Sequence, residues 1–459
     1  LKLGFYVIRS RGADMSNNND DWEFRNREAI FEEDDMWRTL PKDRVGVAAL
    51  KARLTDLLGH IARREFPHVR REIVTRLEDA RKELENLGQS RKDEYEQRLY
   101  LSTIARQFQE LVSAGLQASY SINRAFEEAP ELRLITLVTN LADDFAFNLE
   151  HYGMLRNFEK LPGTNSHVKR DEGVLDLSND NGSSVQFPEL DGLVISEPGE
   201  IEGPENGIMD WIKDLYQRSR GMDLGTFSST VLMSAFKEQS GKWPALTKAF
   251  MSNVVLAIHR FISKALETVC PDQLVREELW AALMEEAVKR YQAGMTSAEY
   301  LLSTERDTRL YTADPEFSKQ HQKWRAARVT EIFKQEIGRQ HHNGAMKVWV
   351  EQCTTWLQEG AEKSSNLNEI THQLHDTLNA YYSVARKRFV DNIIHQAVNY
   401  HLLFGPKTPL NVFSQEWVIG LKAEQLEAIA GESPSVRGRR EMLMKKIADL
   451  EAAKEILKS

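Results

Sequence analysis

Val254-Val255-Leu256-Ala257-Ile258-His259-Arg260-Phe261-Ile262 is the most apolar run in the 459-residue chain, and its setting decides the fold. Nine residues that include His259 and Arg260 cannot make a membrane-spanning helix, which needs about 20 apolar residues. The run belongs instead to a longer pattern, Leu246, Phe250, Val254, Ile258, Phe261, Ala265 and Val269, whose apolar side chains recur every three or four positions. That spacing places them on one face of an α-helix. Read from Phe227 to Val269, with Pro244 kinking the helix without ending it, the pattern predicts a rod of roughly 60 Å at about 1.5 Å per residue. Such a rod is too long for a compact domain.

Working outward, nearly every other segment has the same period. From Val45, Leu50, Leu54, Leu57, Leu58 and Ile61 form a stripe that Phe66, Val69, Ile73 and Leu77 continue. Pro67 removes a backbone donor inside it and predicts a kink or a break, hence a hinge. Leu87-Gly88 reads as a helix stop, and further helices are expected from Tyr95 to Gly115 and from Leu132 to Phe158. Thr296 with Glu299 has capping-box spacing and Asp314-Pro315 a helix start, which leaves Thr304 to Ala313 as a loop. A helix then extends from Glu316 towards Glu359, and another from Leu367 to Phe404 keeps Leu374, Leu378, Tyr381, Ala385, Phe389 and Ile393 in register until Gly405-Pro406. Ser414 to Ile429 and Arg439 to Leu457 complete the set, the last with Leu443, Ile447, Leu450 and Ile456 on one side.

Three stretches break the pattern. Phe5-Tyr6-Val7-Ile8 is a short β-favouring run ended by Gly12. Ser16 to Asp21 is polar and reads as a loop, with a short helix from Arg25 to Trp37 that turns Ile30 and Phe31 inward. Residues 159–206 are rich in glycine, proline and acids, a composition that does not offset its ordering entropy, and are expected to form a flexible insert.

The chain has 41% hydrophobic residues and a net charge of -9. It therefore carries no global basic field that would draw it to nucleic acid. Cys270 and Cys353 are too few for a disulfide framework and fit amphipathic patterns as small buried hydrophobes, as in a reducing, cytosolic compartment. The first residue is Leu1, no signal-peptide pattern follows, and the start reads as cut from something longer. No phosphate-binding Gly-x-x-x-x-Gly-Lys-[Ser/Thr] loop exists; Ser240-Gly241-Lys242-Trp243 lacks its first glycine and its magnesium-binding hydroxyl. His341, His342, His372 and His375 suggest a zinc or iron site only in outline, because no companion ligand motif accompanies them. Carboxylates alternate with Lys and Arg as on solvated helix faces, and no active site or metal site is expected.

Four separated blocks carry a family resemblance. Gly4-Phe5-Tyr6-Val7-Ile8-Arg9-Ser10-Arg11-Gly12, with Arg27-Glu28 and Phe31 to Trp37, resembles the last strand and helix of a dynamin-family GTPase head. Arg218-Ser219-Arg220-Gly221-Met222-Asp223-Leu224-Gly225-Thr226-Phe227 is similar to the arginine-glycine loop that enters a long stalk helix in myxovirus-resistance-type and fungal dynamin-like proteins. Phe236-Lys237-Glu238-Gln239-Ser240 with Trp243 resembles the fungal branch. Leu378-Asn379-Ala380-Tyr381-Tyr382, Lys387 to Asn392, His401-Leu402-Leu403 and the Arg439-Arg440 helix resemble the GTPase effector domain.

The resemblance implies an elongated antiparallel four-helix-bundle stalk with a partial three-helix neck, or bundle signalling element. Residues 1–44 would be the end of the head, 45–75 a neck helix running into the stalk, 76–435 the stalk and 436–459 the C-terminal neck helix, with the effector domain over about 368–459. The third neck helix is expected ahead of the head. Ser10, Arg11 and Gly12 would be the remnant of the guanine-base loop, with Ser10 replacing the family's asparagine. Arg218, Ser219, Arg220 and Gly221 would serve assembly, as would Phe389 and Tyr400, although these two also fall on the inward stripe of their helix. The chain itself would hold no cofactor; GTP and Mg2+ would belong to the head of an intact GTPase. The implied partners are further copies of the chain, a membrane or organelle surface and microtubules, in the cytoplasm or peripherally on organelles. The implied function is a self-assembling stalk that couples GTP hydrolysis to membrane remodelling, fission or organelle dynamics. The alternative is a non-enzymatic helical scaffold or tether.

Overall fold

The computed structural model describes residues 4–9, 28–159, 187–195, 203–204, 206–219, 225–340, 350–363 and 365–457. The chain divides into two units, Leu1–Lys92 with Glu432–Ser459, and Asp93–Gly431. Both are all-α, with no β-strand among the described residues.

In the first unit the run Phe5 to Ile8 is not a strand. It makes one parallel bridge, Val7 with Val45, in which the Val7 N–H donates to the Arg44 carbonyl at 3.0 Å and the Gly46 N–H to the Val7 carbonyl at 3.0 Å. An isolated extended run has no further ladder to join. Of the helix expected from Arg25 to Trp37, residues 25–27 lie outside the described residues; Glu28 is helical and one further turn follows, α1 (Ile30–Glu33), with Ile30 and Phe31 only half-buried. Glu28 then initiates the long helix α2 (Val47–Asn86): its carboxylate accepts the Val47 N–H at 2.6 Å. Gly46 is required at this junction, because its φ of +93° disfavours side chains and a Cβ would lie 3.2 Å from that carboxylate.

α2 runs unbroken through Pro67, so of the kink or break expected there the break is absent. Proline leaves the Arg63 carbonyl without its intrahelical donor, an omission that solvent satisfies on an exposed helix. Only Leu77 and Ala80 are buried along α2. Leu54, Leu58, Ile61, Phe66 and Val69, the heart of the sequence stripe, stay exposed. The last helix, α15 (Pro434–Ile456), packs antiparallel on the C-terminal part of α2, with Arg81–Glu451 and Arg439–Glu83 ion pairs at 2.6 and 2.7 Å. It starts ahead of Arg439 because Ser433 caps it, accepting the Val436 N–H, and Pro434 fits its first turn.

The second unit begins with α3 (Glu94–Leu116), capped by Asp93, then the one-turn α4 (Ala125–Glu128) and α5 (Leu134–Tyr152). After α6 (Ile208–Arg218), the single rod read from Phe227 to Val269 is in fact two helices, α7 (Ser229–Gln239) and α8 (Trp243–Val269). Pro244 lies in the first turn of α8, where its missing N–H costs nothing, and so starts a helix rather than kinking one. At 27 residues α8 is roughly 40 Å long.

α9 (Gln273–Asp307) also corrects the sequence reading: it passes straight through Thr296 and Glu299, and the true N-cap is Asp272, whose carboxylate accepts the Leu274 and Val275 N–H groups. α10 (Pro315–Gln340) starts where Asp314-Pro315 indicates, and α11 (Val350–Lys363) and α12 (Asn366–Asn392) follow. α12 passes into a π-helix, Ile393–Leu403. The helix expected over Ser414 to Ile429 is split into α13 (Gln415–Gly420) and α14 (Ala423–Ala430). Arg98 of α3 accounts for the split by donating to the Val418, Ile419 and Leu421 carbonyls at 2.7–3.1 Å, capping α13.

α8 is the axis of this unit's core, packed on α3, α5 and α9, while α12 packs on α6 and α10, and α9 on the π-helix. Phe145 stacks on Phe250 at 4.4 Å and Trp243 on Phe389 at 4.9 Å. α9 approaches the π-helix closely through Gly294, where a Cβ would meet Leu402 at 2.7 Å.

Candidate functional site

Among the described residues of the second unit, those singled out for function do not converge on one site. Ser10, Arg11 and Gly12 lie outside the described residues, as do Arg220, Gly221, His341 and His342. Arg218 is the last residue of α6 rather than part of a loop, and its guanidinium lies 3.8 Å from Asp214 one turn back, both exposed. Ser219 is exposed and ends the helix, its N–H donating to the Leu215 carbonyl at 3.1 Å. These two present a solvated, charged helix end.

Phe389 and Tyr400 have opposite environments. Phe389 is 1% exposed and stacked on Trp243, so it offers no surface to a neighbouring stalk and belongs to the core. Tyr400 is 58% exposed, with Phe404 one turn on at 56%, which removes it from the inward stripe. The reason is the π-helix: its wider turn buries Ile393, Ala397, Val398, Leu402 and Leu403 and leaves position 400 outside.

Around Trp243 the Phe236–Ser240 block and the Leu378–Tyr382 block meet. The Trp243 indole N–H donates to the Tyr382 hydroxyl at 2.9 Å, and Phe236 sits edge-on to Trp243, Tyr381 and Tyr382. Arg388 pairs with Glu305 at 2.5 Å and also reaches the Tyr381 hydroxyl, and hydrogen bonding to Glu305 raises its already high pKa. Ser240, in the string that superficially resembles a phosphate loop, donates to the Phe236 carbonyl at 2.8 Å and accepts from Arg306 at 3.0 Å. Its hydroxyl is engaged in helix packing.

The paired histidines of α12 serve a buried polar cluster. His375 is fully buried; its Nε2 accepts the Glu159 N–H at 3.3 Å, so its Nδ1 donates to Asp376 at 3.1 Å. Arg328 of α10 grips the same carboxylate at 2.5 and 2.8 Å. Burial pushes the Asp376 carboxyl up, but hydrogen bonds from His375 and Arg328 outweigh it and hold the pKa below the usual carboxylate value. His372 is lowered by burial and then by Arg328. Among the described residues no group of three or more His, Cys, Asp or Glu is arranged to hold a metal.

A second buried cluster corrects the reading of residues 159–206 as a uniformly flexible insert. Residues 187–195 lie against α8 and α9, with Leu190 buried and Phe187, Leu193 and Val194 packed on the core. Glu189 accepts from His259 Nε2 at 3.1 Å and from the Trp280 indole N–H at 3.2 Å. The signal was Phe187-Pro188-Glu189-Leu190 followed by Leu193-Val194-Ile195, an apolar island inside a polar, glycine-rich stretch.

No helix among the described residues is long and apolar enough to cross a membrane. No curated protein matches the chain. Residues 1–162 match the family model of the dynamin central region, so residues 1–44, read as the end of a GTPase head, fall inside that match together with α1 to α5. Over this region the protein is similar to the central, stalk-forming region of dynamin-superfamily proteins, and its described residues are all-α throughout.

Proposed function

We propose that the chain is the self-assembling lever of a dynamin-like GTPase: its stalks associate into open filaments, and GTP hydrolysis in an attached head drives membrane remodelling, fission or organelle dynamics through them. The match of residues 1–162 to the dynamin central region carries this reading. Head-to-tail stalk contacts that do not close generate a helical collar rather than a small ring. Ser10 to Gly12 would touch the guanine base, and GTP with Mg2+ would bind in the head. A membrane or organelle surface, and microtubules, would be the partners. The Arg218 to Gly221 segment is the proposed assembly contact, because Arg218 lies exposed at the end of α6, where an acidic neighbour can reach it.

Arg220→Asp tests this. Helix content by circular dichroism is expected to stay unchanged while the oligomer mass in analytical ultracentrifugation falls. An unaltered mass removes this segment from the interface, and a chain that sediments as a monomer at all concentrations removes self-assembly altogether.

A further inference from the structure

We propose that the face of α8 and α9 around His259 is a peptide-binding groove, and that Phe187–Ile195 is its built-in ligand, a separable acidic-apolar peptide rather than an integral piece of the bundle core. The groove has the polarity of a recognition site. The His259 imidazole on α8 and the Trp280 indole on α9 aim N–H groups from two different helices at one carboxylate oxygen of Glu189, at 3.1 and 3.2 Å. The Tyr291 hydroxyl faces His259 Nδ1 at 3.4 Å, and donation from it places the ring proton on Nε2, the nitrogen that meets Glu189. Phe187 stands edge-on to the His259 ring at 4.4 Å, and Leu190 is buried beside it. The groove thus selects an acidic side chain flanked by apolar ones, with Pro188 presetting the turn.

The segment is held as a ligand is held. Its backbone hydrogen bonds are local, Leu190 to Phe187, Asp191 to Pro188, and Leu193 and Val194 to Leu190. Towards the bundle, Glu189 accepts from His259 and Trp280, and the Ile195 N–H donates to the Ser252 hydroxyl at 3.2 Å. None of these bonds belongs to the helical ladder of α8 or α9, so lifting the segment away leaves both helices hydrogen-bonded.

The test replaces residues 187–195 of the full chain by a glycine-serine stretch of equal length. A fluorescein-labelled synthetic peptide of residues 185–196 is then titrated in by anisotropy. Saturable binding to the replaced chain is expected, with none to the unaltered chain, whose groove is filled. The same peptide carrying Glu189→Gln is expected to bind at least about tenfold more weakly, since a charged acceptor makes the stronger hydrogen bond. Hydrogen exchange on the unaltered chain gives an independent reading: amides of 187–195 are expected to exchange at least about tenfold faster than those of 250–262. A replaced chain that fails to fold, a folded one that ignores the peptide, or exchange of 187–195 only together with α8 would each overturn the proposal.

Discussion

Replacing Arg440 by alanine should loosen the first unit selectively, and the structure fixes how much. Arg440 is 7% exposed and its guanidinium is fully committed. It pairs with Glu432 at 2.7 Å, a carboxylate whose side chain is 0% exposed, and donates to the Leu87, Gly88 and Gln89 carbonyls at 3.0–3.2 Å, closing the C-terminal end of α2. Removing one partner of a buried pair strands the other charge and costs about 3–5 kcal/mol. The uncapped carbonyls lie at the negative end of the α2 dipole, where a cation is favoured. Converted at about 1.4 kcal/mol per tenfold, this is roughly two to three and a half powers of ten in the opening equilibrium of α2 and α15. Hydrogen exchange by mass spectrometry on peptides from 77–86 and 434–450 reads it directly, with peptides from α8 as the unaffected control. Arg440→Met combined with Glu432→Leu should recover part of the loss, because no stranded carboxylate remains, although the Arg91 N–H then loses the Glu432 acceptor it holds at 3.2 Å. Exchange in Arg440→Ala within about threefold of the unaltered chain would refute the reasoning.

Three further outcomes follow from the second unit. Burial lowers the pKa of His259, against the opposing pull of Glu189, and that of His372, so the unfolded chain binds more protons just below pH 6.5; stability is complete above that value and declines as pH falls towards the lowered native pKa. The urea midpoint should therefore drop between pH 7.5 and 5.5, and a His259→Gln, His372→Gln double variant should flatten the drop. Gly294→Ala should cost about 1–3 kcal/mol in urea unfolding, since the new Cβ would sit 2.7 Å from fully buried Leu402, and a Leu402→Ala background should abolish that increment. Phe389→Ala should cost about 3–5 kcal/mol, whereas Tyr400→Ala should stay within about 0.5 kcal/mol of the parent and instead lower the assembly mass. Equal costs at the two positions would contradict the burial difference between them.

Much of this architecture is legible in the sequence, because a 3.6-residue period sustained over about 20 positions arises from little besides an amphipathic helix. α3, α5 and the stripe of α12 are each anticipated from their apolar spacing, and the start of α10 from Asp314-Pro315. Local punctuation is harder to read. Pro244 looks like a kink until Ser240 and Gly241 are seen to end one helix and let the proline begin the next. Thr296 and Glu299 have capping-box spacing, yet the same spacing arises by chance inside α9, and only the bonds of Asp272 mark the true start. Tyr400 is misplaced by any 3.6-residue projection, because the π-helix changes the period beneath it. The docked Phe187–Ile195 segment is too short for periodicity to register, and its partners, Ser252, His259, Trp280 and Tyr291, are scattered over two helices. Arg440 shows the same limit: a basic residue on a helix reads as solvated until Glu432 and the end of α2 close around it.

The pairing of α2 with α15 has a consequence for the order of events during synthesis. The Arg439–Glu83 and Arg81–Glu451 bonds join residues 356 and 370 positions apart, so this contact cannot form until Arg439 and Glu451 have left the ribosome. Gln97 of α3 bonds Glu427 of α14 inside the second unit and draws its two chain ends together. If that unit matures first, the remaining gap shrinks from about 340 residues to about ten, which relieves roughly 3 kcal/mol of closure entropy. The second unit should thus fold before the first, and a polypeptide truncated before Glu432 should still yield a folded second unit with an unmated α2 that becomes a target for proteases and chaperones.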